Sequence, residues 1–264
     1  MPAELAGARP LLILLAGVVG AVFGSFLNVC ILRWGAEPKQ SVVRPPSRCP
    51  RCGAGVAWYD NVPVVSWLVL RGRCRSCGEP ISIQYPLVEL ATGLIWALMA
   101  WRSGPTLEAL RGAVLGTILL GIALTDARAY LIPDEFTWGG LAFGLLFALA
   151  VGAQALGQAL LGAAVGFGLL WLVGAVGGWV LKQDAMGGGD IKMMAMVGAF
   201  LGWRGVLLTI FLGALLGSLV FVPLALAGRK RLVPFGIFLA MGAGAAYLVG
   251  PALYAWYLAT MGIA

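Results

Sequence analysis

The chain has 264 residues, 61% hydrophobic and only 11% charged, with a mean hydropathy of +0.93. So few charges cannot solvate a globule of this size, which excludes a soluble domain and indicates an integral membrane protein. There is no histidine, which removes Ser-His-Asp and Cys-His nucleophile systems, HExxH sites and His-ligated metals. The net charge of +7 bears on topology and anionic lipid. No basic, aromatic-interleaved surface for nucleic acid is present.

A membrane-crossing helix needs about 20 mostly apolar residues. By that measure the sequence predicts an all-α polytopic protein with about eight spans, near 11–32, 85–101, 108–126, 136–153, 156–181, 191–203, 205–227 and 233–260. The first span runs on through Gly24, Ser25 and Asn28 with no small-residue cleavage site, so it reads as an uncleaved anchor. Three parts are expected: a first helix (1–33), a polar insert carrying four of the five cysteines (34–84), and a seven-helix membrane core (85–264). The sixth and seventh spans are separated only by Trp203-Arg204-Gly205. With the N-terminus outside, inner loops hold fourteen Lys and Arg, including Arg229, Lys230 and Arg231, against four in outer loops. That split places the insert in the cytoplasm.

Within the insert, Cys49-Pro50-Arg51-Cys52-Gly53 and Cys74-Arg75-Ser76-Cys77-Gly78 form two CxxC knuckles 21 residues apart. Four thiolates suit a closed, tetrahedral structural zinc site, a zinc-ribbon-like arrangement that stabilises an insert too small for a large core. Disulfides and a CxxC redox pair are the alternatives. A reducing cytoplasm disfavours the first, and the second does not require a duplicate motif. Cys30, in an apolar span, reads as a buried small hydrophobe.

The acids gather at the inner membrane face. Asp126 closes the third span, Asp134 opens the fourth after Pro133, Asp184 follows the fifth, and Asp190 ends Gly187-Gly188-Gly189-Asp190. Ionisable groups at the edge of hydrocarbon are costly and point to function. Asp126 and Asp190 are the candidate catalytic pair, because two close carboxyls share one proton and can serve as acid and base without histidine. Asp134 reads as a helix cap and Asp184 as a solvated loop residue. Glu89, a turn inside the second span, either faces a cavity or pairs with an arginine. A proton or cation path would need polar groups spread through the membrane depth, and a Ser25–Lys192 hydrolase has no supporting motif.

These residues together resemble the bacterial type IV prepilin peptidases, or leader peptidase/N-methyltransferases. The matching segments are FGSFLNVCILR (23–33), the two knuckles, ISIQYPLVELATG (81–93), TDARAYLIPDEFT (125–137), GGGDIKMMAMVGAFLG (187–202) and VPFGIFLAMGA (233–243). The chain differs at Ile237, which follows Phe235-Gly236 where that family usually has proline. The resemblance implies a multi-pass inner-membrane aspartyl protease of the GxGD type. Its active site faces the cytoplasm, and Asp126 and Asp190 are its catalytic residues. The implied substrates are prepilins and type II secretion pseudopilins, embedded in membrane lipid. It also implies methylation of the new N-terminus with S-adenosylmethionine, whose site the residues do not locate. Lys192 is expected to meet an acidic group of the substrate.

Overall fold

A computed structural model describes residues 3–183, 186–228 and 234–262. Asp184 and the Arg229, Lys230, Arg231 cluster lie outside these described residues, so their expected placement is not addressed. Among the described residues the chain forms eight α-helices and no strand. They are α1 (Ala3–Trp34), α2 (Val65–Val69), α3 (Gln84–Ser103), α4 (Leu107–Ala129), α5 (Asp134–Val151), α6 (Ala153–Leu181), α7 (Gly188–Leu226) and α8 (Phe235–Thr260). Six of them, α1 and α4 to α8, are long and apolar enough to cross a membrane. The molecule is a multi-pass, all-helical membrane protein.

By length and apolar composition six helices qualify as membrane spans against the expected count of about eight, for two physical reasons. The predicted second span is α3, whose 20 residues include Glu89, Arg102 and four hydroxyl or amide side chains, so it falls outside the six. The predicted sixth and seventh spans share the 39-residue α7, which is interrupted only at Gly202, where φ 68 and ψ 176 are not helical. That bend falls just before the expected break at Trp203-Arg204-Gly205. A side chain would be strained at such a φ, whereas glycine is not. Residues twelve apart in a straight helix are about 18 Å apart. Yet a Cβ placed on Gly166 of α6 would meet both the Met194 carbonyl oxygen and, at 3.3 Å, Val206 Cγ2. The two limbs of α7 therefore turn back along one face of α6.

The chain divides into two compact units, Met1–Thr117 and Ile118–Ala264. In the first, α1 and α3 pack along small residues. A Cβ on Gly20 would lie 2.7 Å from Trp96, and one on Gly24 2.7 Å from the Glu89 Cα. Phe23 stacks on Trp96 with ring centroids 4.8 Å apart. Close backbone approach of this kind is how helices associate where no hydrophobic effect drives them together. Asn28 Nδ2 donates to the Tyr85 carbonyl oxygen at 3.1 Å, fixing the register of the pair. In the second unit the first limb of α7 is its buried centre: Met193, Met194, Met196 and Val197 have no exposed surface. Gly162 of α6 touches the Gly198 backbone, and Phe147 of α5 packs on Phe200 at 6.2 Å. This packing fixes the position of the residues that begin α7.

Candidate active site and metal centre

In the second unit, Asp126 lies in the last turn of α4 and Asp190 in the first turn of α7. Asp126 is only 5% exposed. Asp126 Oδ2 and Asp190 Oδ1 are both buried with no hydrogen-bond partner, and the two carboxyls are near enough for their charges to interact. Buried polar oxygens are normally paired, so two orphans in one place mark a site held open for another molecule. The backbone amides of Ile237 and Gly236, at the start of α8, face the Asp126 carboxyl. A helix N-terminus offers such unpaired N–H groups and a favourable dipole to an oxyanion.

Ile132 links the pieces. Its side chain would lie 2.8 Å from a Cβ on Gly236 and 2.9 Å from one on Gly189, so it wedges between the starts of α8 and α7. Gly187 and Gly236 leave room for the acids themselves. A Cβ on Gly187 would fall 2.8 Å from Asp190 Oδ2, and one on Gly236 2.7 Å from Asp126 Oδ2. Sequence reasoning found both acids but not Gly236, Ile237 or Ile132. Their signals were the TDARAYLIPDEFT segment, which holds Ile132, and the VPFGIFLAMGA segment, whose role as a source of backbone donors has no side-chain signature.

Two expectations for nearby residues are corrected. Asp134 does not cap its helix. The N-cap of α5 is Pro133 with no side-chain bond, and the Asp134 carboxylate instead accepts from Lys192 Nζ at 2.7 and 3.0 Å. Lys192, expected to await substrate, is thereby engaged within the chain. The pair ties the start of α5 to the first turn of α7, two residues after Asp190.

The first unit holds the four cysteines. The Sγ atoms of Cys49, Cys52, Cys74 and Cys77 lie within 4.8 Å of one another, and none is in a disulfide. Cys49 and Cys77 Sγ are 3.8 Å apart, the edge length of a tetrahedron of thiolates about 2.3 Å from a central zinc. The knuckles are built alike. Cys49 N–H donates to the Ala54 carbonyl and Gly53 N–H to the Cys49 carbonyl, as Cys74 N–H does to Glu79 and Gly78 N–H to Cys74. Gly53 and Gly78 sit at φ 72 and 73, where a side chain would be strained.

The backbone amides of Cys52 and Arg51 draw the Cys49 thiol down to about 7. At Cys77 the Glu79 amide favours the thiolate, but desolvation and the thiols of Cys74, Cys52 and Cys49 push it up to about 12. Four sulfurs crowded this closely ionise together only when a cation accepts them, so the donor set fits a metal ion. Asp60 and Arg75 form a two-point ion pair at 2.8 and 2.6 Å beside the second knuckle. The bonded guanidinium holds the Asp60 carboxyl below the usual range.

Cys30 is buried at 2% exposure, as expected. Glu89 adopts neither expected role. It accepts the Val64 backbone N–H at 2.8 Å, and the Ser25 hydroxyl bonds to it as well. It therefore anchors the insert to the helix pair, at a point where Val64 has a φ of 61.

Residues 18–103 match the bacterial Peptidase A24 N-terminal domain, and residues 113–222 match the type IV leader peptidase family. The chain is 35% identical over 270 residues to the prepilin leader peptidase/N-methyltransferase of Aeromonas hydrophila, covering 90% of each chain. The chain belongs to the type IV leader peptidase family. Another such family member, the prepilin leader peptidase/N-methyltransferase of Neisseria gonorrhoeae, is 35% identical over 255 residues, covering 88% of this chain and 89% of its own. That of Myxococcus xanthus is 44% identical over 218 residues, 83% of this chain, and the match spans 64% of the Myxococcus protein. No solved structure matches the chain.

Proposed function

We propose that Asp126 and Asp190 are the catalytic pair of a membrane aspartic endopeptidase that removes the leader of type IV prepilins and type II secretion pseudopilins. As a member of its family the chain is a prepilin leader peptidase, and its N-terminal region matches a peptidase domain of the same family. The observation that carries the assignment is the pair of buried, partnerless carboxyl oxygens, Asp126 Oδ2 and Asp190 Oδ1, in a site bounded by three helix termini.

The chemistry follows from one shared proton. The ionised carboxyl takes a proton from water as its oxygen attacks the scissile carbonyl carbon, and the protonated carboxyl gives its own to the carbonyl oxygen. When the tetrahedral intermediate collapses, the C–N bond breaks and the leaving amine takes up a proton from the acid that had accepted it. The Gly236 and Ile237 amides hold Asp126 in place throughout. With no histidine in the chain, the pair needs no imidazole.

The site works at the cytoplasmic face of the inner membrane, where a basic substrate leader would lie. This placement rests on the excess of Lys and Arg in the loops of that side. The four cysteines hold structural zinc, which cross-links the insert and leaves no coordination position for substrate.

The relatives are also named N-methyltransferases, and this chain methylates the amine that cleavage exposes. S-adenosylmethionine would supply the methyl group as a sulfonium. Its positive charge suits buried acceptors, of which the α1–α3 pair has Asn28 Oδ1, without a partner, on α1 and Glu89 on α3. Purified protein incubated with a prepilin and the methyl donor tests the whole reading. A product lighter by the leader and heavier by one methyl group is expected, and an uncut prepilin overturns it.

A further inference from the structure

The insert exposes an apolar face that its own packing does not use. Val65, Leu68 and Val69 fall at i, i+3 and i+4 of α2 and are 56, 62 and 70% exposed, while Ser66 on the other side is buried. The Ser66 hydroxyl accepts the Val62 N–H at 3.0 Å and donates to the Tyr59 carbonyl at 2.8 Å. It thus fastens α2 to the 3-10 turn Trp58–Asn61, which presents Trp58 at 83% exposure. In a free-standing soluble domain such a surface would be an aggregation risk.

Charge and tethering indicate what covers it. Residues 34–83 hold seven Lys and Arg against three acids, and one of those acids, Asp60, is already neutralised by Arg75. Arg71 and Arg73, both exposed, directly follow α2. The insert leaves α1, a membrane-crossing helix, and returns into α3, which packs along α1. A patch tied at one end to a membrane-crossing helix and at the other to a helix packed along it meets the headgroup layer at an effective concentration that no diffusing partner reaches.

We infer that the Trp58–Val69 face rests on the acidic-lipid surface of the leaflet on the insert's own side. The aromatic and aliphatic side chains enter the interfacial zone, and the flanking arginines meet lipid phosphates. Docking fixes the height of the insert above the bilayer without using any catalytic or metal-binding residue.

The test is hydrogen exchange of the full-length protein in nanodiscs of neutral phosphatidylcholine and in nanodiscs enriched in phosphatidylglycerol. Amides of 58–71 are expected to exchange about tenfold more slowly in the acidic bilayer. A variant combining Trp58→Ser, Leu68→Ser and Val69→Ser should lose that protection while keeping its bound zinc, which shows that the insert is still folded. Equal exchange in both bilayers would overturn the inference. So would protection that appears only when a prepilin is added, or only as protein concentration rises, since either would assign the face to substrate or to a second copy.

Discussion

Asp126 has one carboxyl oxygen buried without a partner, and the group faces the first amides of α8. Gly236 is what permits this approach: a methyl group there would fall 2.7 Å from Asp126 Oδ2 and 2.8 Å from Ile132 Cδ1. Gly236→Ala must displace one or the other, and moving the proposed catalytic carboxyl by about 1 Å costs up to about a hundredfold in rate. Leader cleavage in membranes should fall by that factor while protein level and zinc content stay unchanged, and wild-type cleavage would refute the positioning role. The aspartates were legible in the sequence because acids at the edge of apolar spans are rare and stand out. The donors were not, because they are backbone atoms of Gly236 and Ile237, more than a hundred residues along the chain from Asp126. Lys192 misled in the opposite way: a lone cation near an acid suggested a substrate contact, but Asp134, distant in sequence, already holds it.

The cysteine knuckles and Glu89 set the behaviour of individual elements. Protons and metal compete for the same sulfurs. Thiolate binding is therefore fully present at alkaline pH and is lost as pH falls through and below the neutral range, where the Cys49 thiol, drawn down to about 7, takes its proton. Zinc release followed with a chromogenic chelator should rise steadily on acidification. Release independent of pH would exclude thiolate ligation. Cys49→Ser combined with Cys74→Ser should remove the metal and leave α1 and α3 in place. Glu89→Leu leaves the Val64 N–H unpaired in a partly buried setting, at a cost of about 1 kcal/mol. The variant should loosen the insert, measured as faster exchange of the amides of 62–66, whereas Glu89→Gln, which keeps an acceptor, should restore much of the protection. The CxxC spacing made the ribbon readable from the sequence. Glu89 was ambiguous because its partner is a main-chain amide in a loop, which no pattern of residue types encodes.

For the whole molecule, hydropathy identified every long apolar helix but not how the chain divides among them. The Trp203-Arg204-Gly205 break and the placing of Arg229, Lys230 and Arg231 on the inner side split this region in two. The kink at Gly202, where the backbone is not helical, is the structural counterpart of that split and divides α7 into two helices. Arg204, just beyond the bend, lies over the rings of Trp203 and Tyr254 at 5.3 and 4.5 Å. An arginine so placed keeps its charge with aromatic partners at the turn, away from hydrocarbon. α3 was counted as a span because most of 85–101 is apolar, but its second turn carries the buried Glu89 that anchors the insert. The distribution of positive charge still predicts a cytoplasmic insert. A membrane-impermeant thiol reagent should therefore label metal-free Cys52 in inverted vesicles and not in intact cells, and labelling from outside would reverse the assigned orientation.

The central claim is that two carboxyls from α4 and α7 act as one proton-sharing unit, and the most direct measurement is the single-turnover rate of leader removal by Asp126→Asn and Asp190→Asn proteins purified with their zinc. The account predicts that each variant alone loses at least about a thousandfold in rate. It also predicts that the double variant is no worse than either single one and that all three still methylate a pre-cut pilin. Cleavage by either variant within about tenfold of the unaltered protein would contradict it.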